Sequence, residues 1–409
     1  MFKKIFFIFL CKFSTDDTPN TLMGEFFCEV CGNKNPELFG MKNGKHYCRL
    51  CVQYEGFEEI RPIFKTDYEN TRLDLPYSLT EGQKRISNKI FQSLLEGRNC
   101  FISAVCGSGK TEITVDIISK YLKMGKKIGF AIPRRDVVIE LAERMKNAFK
   151  NATVVTVYGG HKNVLDGDII VLTTHQLYRY NCFFDLLILD EADAFPFKDN
   201  EVLRNIFKNS IKGNYVIMSA TLDSSQEILP DNNVVNLFLY ERFHKHDIPV
   251  PKIVVKSGVM KLYFLIKKVK EYLNENKPVL IFVPTISQSK NIYKLLKIFA
   301  KPGYFVNSKE PERENIIKNF REGTYKYLVT TMVLERGVTI ENLQVIIFDA
   351  SNKVYSKETL IQISGRAGRK RSHPTGDVFL LSNKISSEMR SSIKTIEYCN
   401  LNKNKTYDL

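Results

Sequence analysis

Tryptophan is absent from the 409 residues, histidine is held to 6, and the 45 acidic side chains fall well short of the 60 basic ones. Each shortage excludes something. Without tryptophan, any stacking on nucleic-acid bases falls to phenylalanine or tyrosine, and no pattern singles one out. The missing acid leaves a net charge of +15, which favours a polyanionic partner, either nucleic acid or an anionic membrane surface. No apolar run approaches the roughly 18 residues of a transmembrane helix. Lys3 and Lys4 followed by Ile5 to Leu10 imitate the start of a signal peptide. Six apolar residues are too short for an h-region, however, and no small-residue cleavage site follows, so a cytoplasmic chain is expected. Nine cysteines, an odd number in a chain of this length, are no disulfide framework. Hydrophobic residues make up 44%, enough for a globular chain of two or three domains.

What is present begins with Ala104-Val105-Cys106-Gly107-Ser108-Gly109-Lys110-Thr111, a phosphate-binding loop with Ala104 in place of the usual first glycine. Phe101 and Ile102 suggest a strand before it, and Ile113 to Leu122 a helix after it. In that setting the glycines let backbone N–H groups curl around phosphate oxygens at a helix N-terminus. Lys110 would reach the β- and γ-phosphates, and the Thr111 hydroxyl would hold Mg²⁺. Leu186 to Leu189 then runs into Asp190-Glu191-Ala192-Asp193. An apolar strand ending in two acids sets both carboxylates at the carboxyl edge of a sheet, beside the phosphate loop. Asp190 can hold Mg²⁺ through water, and Glu191 can orient and deprotonate the attacking water.

Upstream, Cys28, Cys31, Cys48 and Cys51 read C-x₂-C-x₁₆-C-x₂-C, the spacing of a four-cysteine Zn²⁺ site. With all four ligand positions filled by protein, the expected role is structural. Gly32 and Gly44 give the turns their freedom, and His46 leaves a Cys₃His set as an alternative. The expected organisation is an extension over 1–24, a zinc module over 25–60, a connector over 61–77, a first α/β domain over 78–232, a linker over 233–257, a second α/β domain over 258–385 and a tail over 386–409. Strands alternating with helices at Ile128 to Ile132, Asp136 to Phe149, Ile169 to Thr173, Val279 to Val283 and Ser287 to Phe299 imply parallel sheets. The segment 223–252, with Pro230, Pro249 and Pro251 and no sustained periodicity, is read as the break.

Ala104 to Thr111, Asp190 to Asp193 and Ser219-Ala220-Thr221 resemble motifs I, II and III of superfamily 2 helicases. Thr330 to Glu341 resembles motif V, and Gln362-Ile-Ser-Gly-Arg366-Ala-Gly-Arg369 motif VI. With the cysteine module in front, Asp193 to Pro196 and Pro374 to Asp377 narrow the likeness. Over roughly residues 25 to 385 the chain resembles the ComFA family of late-competence DNA helicases/translocases of transformable low-GC Gram-positive bacteria. The resemblance implies two tandem RecA-like α/β domains behind a zinc module, with ATP, Mg²⁺ and Zn²⁺ as cofactors. It makes Arg366 and Arg369 arginine fingers, and assigns Gly337 to nucleotide binding. Ser219, Thr221 and Gln362 would couple nucleotide state to the nucleic-acid groove, and Gln83 would read adenine. Arg134, Arg135, Thr174, Thr285 and Thr331 suit phosphate contacts, which position a strand without reading its sequence.

The implied partners are single-stranded DNA, a membrane DNA-uptake channel and a phosphoribosyltransferase-like competence protein, met peripherally at the inner face of the cell membrane. Three other readings stand beside this one. A replication-restart helicase of the PriA type shares the motor but carries its cysteines in the second half. An Asp-Glu-Ala-Asp RNA helicase shares the tetrad. A non-catalytic scaffold is opposed by intact Lys110, Asp190, Glu191, Arg366 and Arg369.

Overall fold

The computed structural model describes residues 26–28, 30–42, 44–51, 79–161, 164–194, 196–197, 200–220, 228, 231–335 and 339–403. At the N-terminal end, β1 (Phe39–Lys42) and β2 (Lys45–Cys48) form an antiparallel hairpin with Lys42 opposite Lys45. Gly44, at φ +75°, supplies the left-handed residue that such a tight connection needs. The hairpin carries Cys48 back to the turn of Cys28 and Cys31.

The first α/β half follows. Its elements are α1 (Glu81–Leu95), β3 (Asn99–Ala104), α2 (Lys110–Lys123), β4 (Ile128–Ile132), α3 (Arg135–Ala148), β5 (Val154–Val157), β6 (Ile169–Thr173), β7 (Phe184–Leu189), α4 (Glu201–Asn209), β8 (Ile211–Ser219) and β9 (Val234–Leu239). The seven strands are parallel in the order β5-β6-β4-β7-β8-β3-β9. Every residue of β4 and β6 is buried, because helices cover both faces of a parallel sheet and leave no side for polar alternation. Thr80 starts α1 with a capping box, its hydroxyl taking the Gln83 N–H while the Gln83 side chain takes the Thr80 N–H.

The second half runs β10 (Lys252–Val255), α5 (Gly258–Asn274), β11 (Val279–Phe282), α6 (Ile286–Phe299), β12 (Gly303–Val306), α7 (Arg313–Arg321), β13 (Tyr327–Thr330), β14 (Gln344–Phe348), α8 (Lys357–Ser364), β15 (Val378–Ser382) and α9 (Ser387–Leu401). Its sheet is parallel too, in the order β10-β15-β14-β11-β13-β12. The expected α/β architecture is therefore present in both halves.

The stretch expected to be a linker, 233–257, is more structured than that. β9 extends the first sheet beside β3, and β10 opens the second beside β15. Leu237 and Leu239 are buried while Val234, Val235, Asn236 and Phe238 are only partly covered, the uneven cover of an edge strand. The tail expected over 386–409 contains α9. Asn400 Nδ2 donates to the Ile248 carbonyl and Asn400 Oδ1 accepts the Ile248 N–H, both at 2.9 Å. Val105, Tyr240, Ile248, Ile361, Ile396 and Cys399 form one apolar cluster, so α9 and the segment after β9 seal the two halves together beside the phosphate loop.

Candidate nucleotide site and nucleic-acid edge

In the first sheet β8 lies between β7 and β3, so the loops leaving β3 and β7 open at the same edge on either side of it. The β3 loop is the phosphate loop. Gly107 and Gly109 both sit at φ +83°, a conformation that side chains rarely adopt. A Cβ at Gly109 would strike the Gln83 amide. Gly109 is also the N-cap of α2 and brings no capping side chain, so the first N–H groups of that helix face outward to an anion. Lys110 Nζ lies 3.2 Å from the Ala104 carbonyl, folded along the loop it serves.

Across the edge, Asp190 and Glu191 end β7 as expected. Glu191 holds φ +57°, an uncommon state for a residue other than glycine and one that collects at functional sites. Its N–H donates to Asp190 Oδ1 at 2.8 Å. The Ala192 N–H donates to the Met218 carbonyl at 3.2 Å, which ties this acidic turn to the end of β8 beside buried Ser219.

The second half closes the site. A cleft of about 370 Å³ is lined by the phosphate loop through Thr111, by Asp190 and Glu191, and from the other side by Gln362, Arg366 and Arg369. Cys106 Sγ donates to Gln362 Oε1 at 3.0 Å across the two halves. Gly365 packs so closely on Cys106 that a Cβ there would overlap it. Arg366 Nε donates to the Glu335 carbonyl at 2.7 Å, holding motif VI on motif V. Ser108 Oγ and Gln362 Nε2 are buried without a partner among the described residues, polar atoms suited to a polar ligand. Together with the glycine cradle and with Thr111 and Asp190, which line the same cleft, they fit a nucleotide with Mg²⁺. Gln83 is placed under the loop: its Nε2 donates to the Ser108 carbonyl at 3.0 Å and its Oε1 is taken by the cap of α1. Thr221 and Gly337 lie outside the described residues.

The candidate DNA contacts cluster by strand order. Arg134 and Arg135 follow β4 and Thr174 follows its neighbour β6, while Thr285 and Thr331 follow β11 and its neighbour β13. Both groups therefore stand at carboxyl edges of their sheets. Arg134 Nη2 donates to the Val333 carbonyl of the second half at 2.8 Å. Arg135 is exposed and lies over the Tyr158 ring, 4.9 Å from its centroid. Thr285 caps α6, accepting the Gln288 N–H at 3.2 Å. Thr174 departs from the expectation. It is buried, hydroxyl included, because the chain turns into a short 3-10 helix, Thr174–Arg179, immediately after β6; its hydroxyl is not presented to a strand.

The four cysteines converge with their sulfurs all within 4.8 Å of one another, as one tetrahedral ion requires. Burial pushes the Cys31 thiol up to about 12 and raises Cys51 as well, so these groups ionise together only against a cation. Asn33 Nδ2 reaches Cys48 Sγ at 3.6 Å, a contact of the kind that steadies thiolate ligands. Asn205 and Asn209 of α4 donate to the carbonyls of Cys31 and Val30 at 2.6 and 3.1 Å. The module is thereby docked on the first half. Sequence reasoning missed those two asparagines, and also Arg242 and Phe243, which reach the phosphate loop from the segment after β9.

The family model described as DEAD/DEAH box helicase matches residues 84–229, and the one described as helicase conserved C-terminal domain matches residues 264–371. Fold, cleft and matches together define an ATP-hydrolysing helicase of superfamily 2. The chain is 30% identical over 394 residues to competence protein ComFA of Streptococcus pneumoniae, covering 92% of this chain and 91% of that one. It is 29% identical to the Bacillus subtilis protein of the same name, covering 91% and 85%. The chain belongs to the ComFA family of competence-associated helicases. Among solved structures, S. cerevisiae Dbp5 bound to RNA and ADP BeF3 superposes with a TM-score of 0.60 at 20% identity, covering 79% of this chain and 92% of that one. RecG bound to a three-way DNA junction gives 0.56 at 20%, covering 81% and 47%. At such identities the likeness is one of fold.

Proposed function

We propose that the chain is an ATP-driven translocase on single-stranded DNA, acting in the uptake of DNA during competence. The observation that carries this reading is the cleft in which a phosphate loop and two acids from one half face two arginines from the other. Lys110 and the α2 N-terminus would bind the β- and γ-phosphates, and Thr111 and Asp190 would hold Mg²⁺. Glu191 would orient and deprotonate the water, and Arg366 and Arg369 would meet the charge that spreads over the γ-phosphoryl oxygens in the transition state. Gln83 would approach the base while bracing the loop. Ser219, Thr221 and Gln362 would pass the change of state to the carboxyl edges, where Arg134, Arg135, Thr285 and Thr331 would take phosphates of the strand.

The basic net charge and the family support DNA as the track; a membrane uptake channel and a phosphoribosyltransferase-like protein would be the partners. No described helix is long and apolar enough to cross a membrane. The test is steady-state ATP hydrolysis with single-stranded DNA, duplex DNA and RNA in turn. Stimulation chiefly by single-stranded DNA is expected. Stimulation chiefly by RNA would replace the reading with that of an RNA helicase.

A further inference from the structure

Arg242 lies in the segment after β9, in the stretch the sequence left without a role, and it is 1% exposed. Among the described residues no carboxylate pairs with it. Its guanidinium instead spends its donors on backbone carbonyls of both halves. Nε donates to Cys106 of the phosphate loop at 3.0 Å. From the second half, Nη1 donates to Gly368 at 2.8 Å, and Nη2 to Gly365 at 2.9 Å and Ala367 at 3.1 Å. Those carbonyls follow the C-terminus of α8, where helices leave acceptors unpaired and the dipole favours a cation. Burial lowers Arg242 to about 10, which leaves it charged at neutral pH.

The neighbours complete the joint. The Phe243 N–H donates to the Gly107 carbonyl at 3.0 Å. His244 Nδ1 accepts the His246 N–H at 3.2 Å, which leaves Nε2 as the donor to the Gly368 carbonyl at 3.0 Å. An apolar side chain could fill this volume without burying a charge. What arginine alone adds is a rigid planar fork aimed at two loops at once. The loop it grips in the second half, 365–368, contains Arg366 and is followed directly by Arg369.

We propose that Arg242 is a positioning residue for ATP hydrolysis: it registers the Gly365–Gly368 turn against the phosphate loop, so that Arg366 and Arg369 stand over the γ-phosphate. This rests on reading those two arginines as fingers. Arg242 itself does not line the cleft and acts through the loop it holds.

The experiment uses the full chain saturated with single-stranded DNA and compares Arg242→Ala, Arg242→Lys, Arg369→Ala and the Arg242→Ala/Arg369→Ala double variant. Arg242→Ala should lower kcat by roughly 10²-fold, the usual cost of misplacing a catalytic group by an ångström, and change nucleotide Kd little. Arg242→Lys, whose point charge cannot span both loops, should recover only part of kcat. The double variant should fall no further than the worse single one, since both lesions act on the same contact. Circular dichroism and a thermal melt confirm the fold; if Arg242→Ala does not fold, Arg242→Lys carries the test through its partial loss of kcat at unchanged Kd. Wild-type kcat in Arg242→Lys, or losses that multiply in the double variant, would overturn the proposal. Wild-type kcat in Arg369→Ala would sink the finger reading instead, whereas an impaired Arg369→Ala with unimpaired Arg242 variants would sink only the positioning role.

Discussion

The two halves share a plan, a parallel sheet with loops opening at its carboxyl edge, and they differ in what sits at the N-terminus of one helix. In the first half, β3 leads to α2, whose N-cap is Gly109 with no side-chain cap. In the second, β11 leads to α6, whose N-cap Thr285 takes the Gln288 N–H. An open N-terminus can bind a phosphate; a capped one has already used that donor. The difference teaches that a fold fixes where chemistry can happen, and a residue at a helix start decides whether it does. The second half contributes instead through α8, whose C-terminal turn carries Arg366 and Arg369 into the cleft.

The largest expected effect breaks the phosphate side of this comparison. Lys110→Ala should reduce ATP hydrolysis to background while DNA binding without nucleotide persists, measured by malachite-green release and fluorescence anisotropy. Loss of both would mean that phosphate site and strand edge are one. Next comes salt. Because strand binding rests on phosphate neutralisation, affinity for single-stranded DNA should fall by about 300-fold between 50 and 200 mM salt if about six phosphates are contacted. A flat response would transfer the affinity to base contacts.

A third variant addresses the zinc module. Cys28→Ser should release one Zn²⁺ per chain, read by metal analysis. Basal hydrolysis should survive in part, because the motor's cores are built by the two sheets. The module is nonetheless held by Asn205 and Asn209, so the melt of the first half should soften. Retained zinc would sink the site. The smallest effect sharpens the comparison at α6: Thr285→Ala should cost about 1 kcal/mol of stability through the lost cap and weaken strand binding slightly, while basal kcat without DNA stays unchanged. A large fall in kcat would give Thr285 a part in nucleotide chemistry.

Much of this was legible in the sequence, and for definite reasons. Glycines at required φ, an apolar strand ending in Asp190 and Glu191, and the double Cys-x₂-Cys spacing each have one dominant physical explanation. β9 was hidden because an edge strand is only half covered, so Val234 to Leu239 showed neither a clean alternation nor a flanking helix. Asn205, Asn209 and Arg242 act on backbone carbonyls, which any loop possesses, so no partner residue marks them in the chain. The buried state of Thr174 turns on a 3-10 turn that periodicity does not reveal.

The central claim is that the first half holds the phosphates and the second answers transition-state charge. The direct measurement is the affinity of Arg369→Ala, with Mg²⁺ and single-stranded DNA, for a non-hydrolysable ATP analogue and for ADP with aluminium fluoride. The account predicts near wild-type affinity for the first and a loss of roughly 10²-fold or more for the second, since a finger acts on charge that develops only in the transition state. Equal losses for both would contradict it and make Arg369 a ground-state ligand.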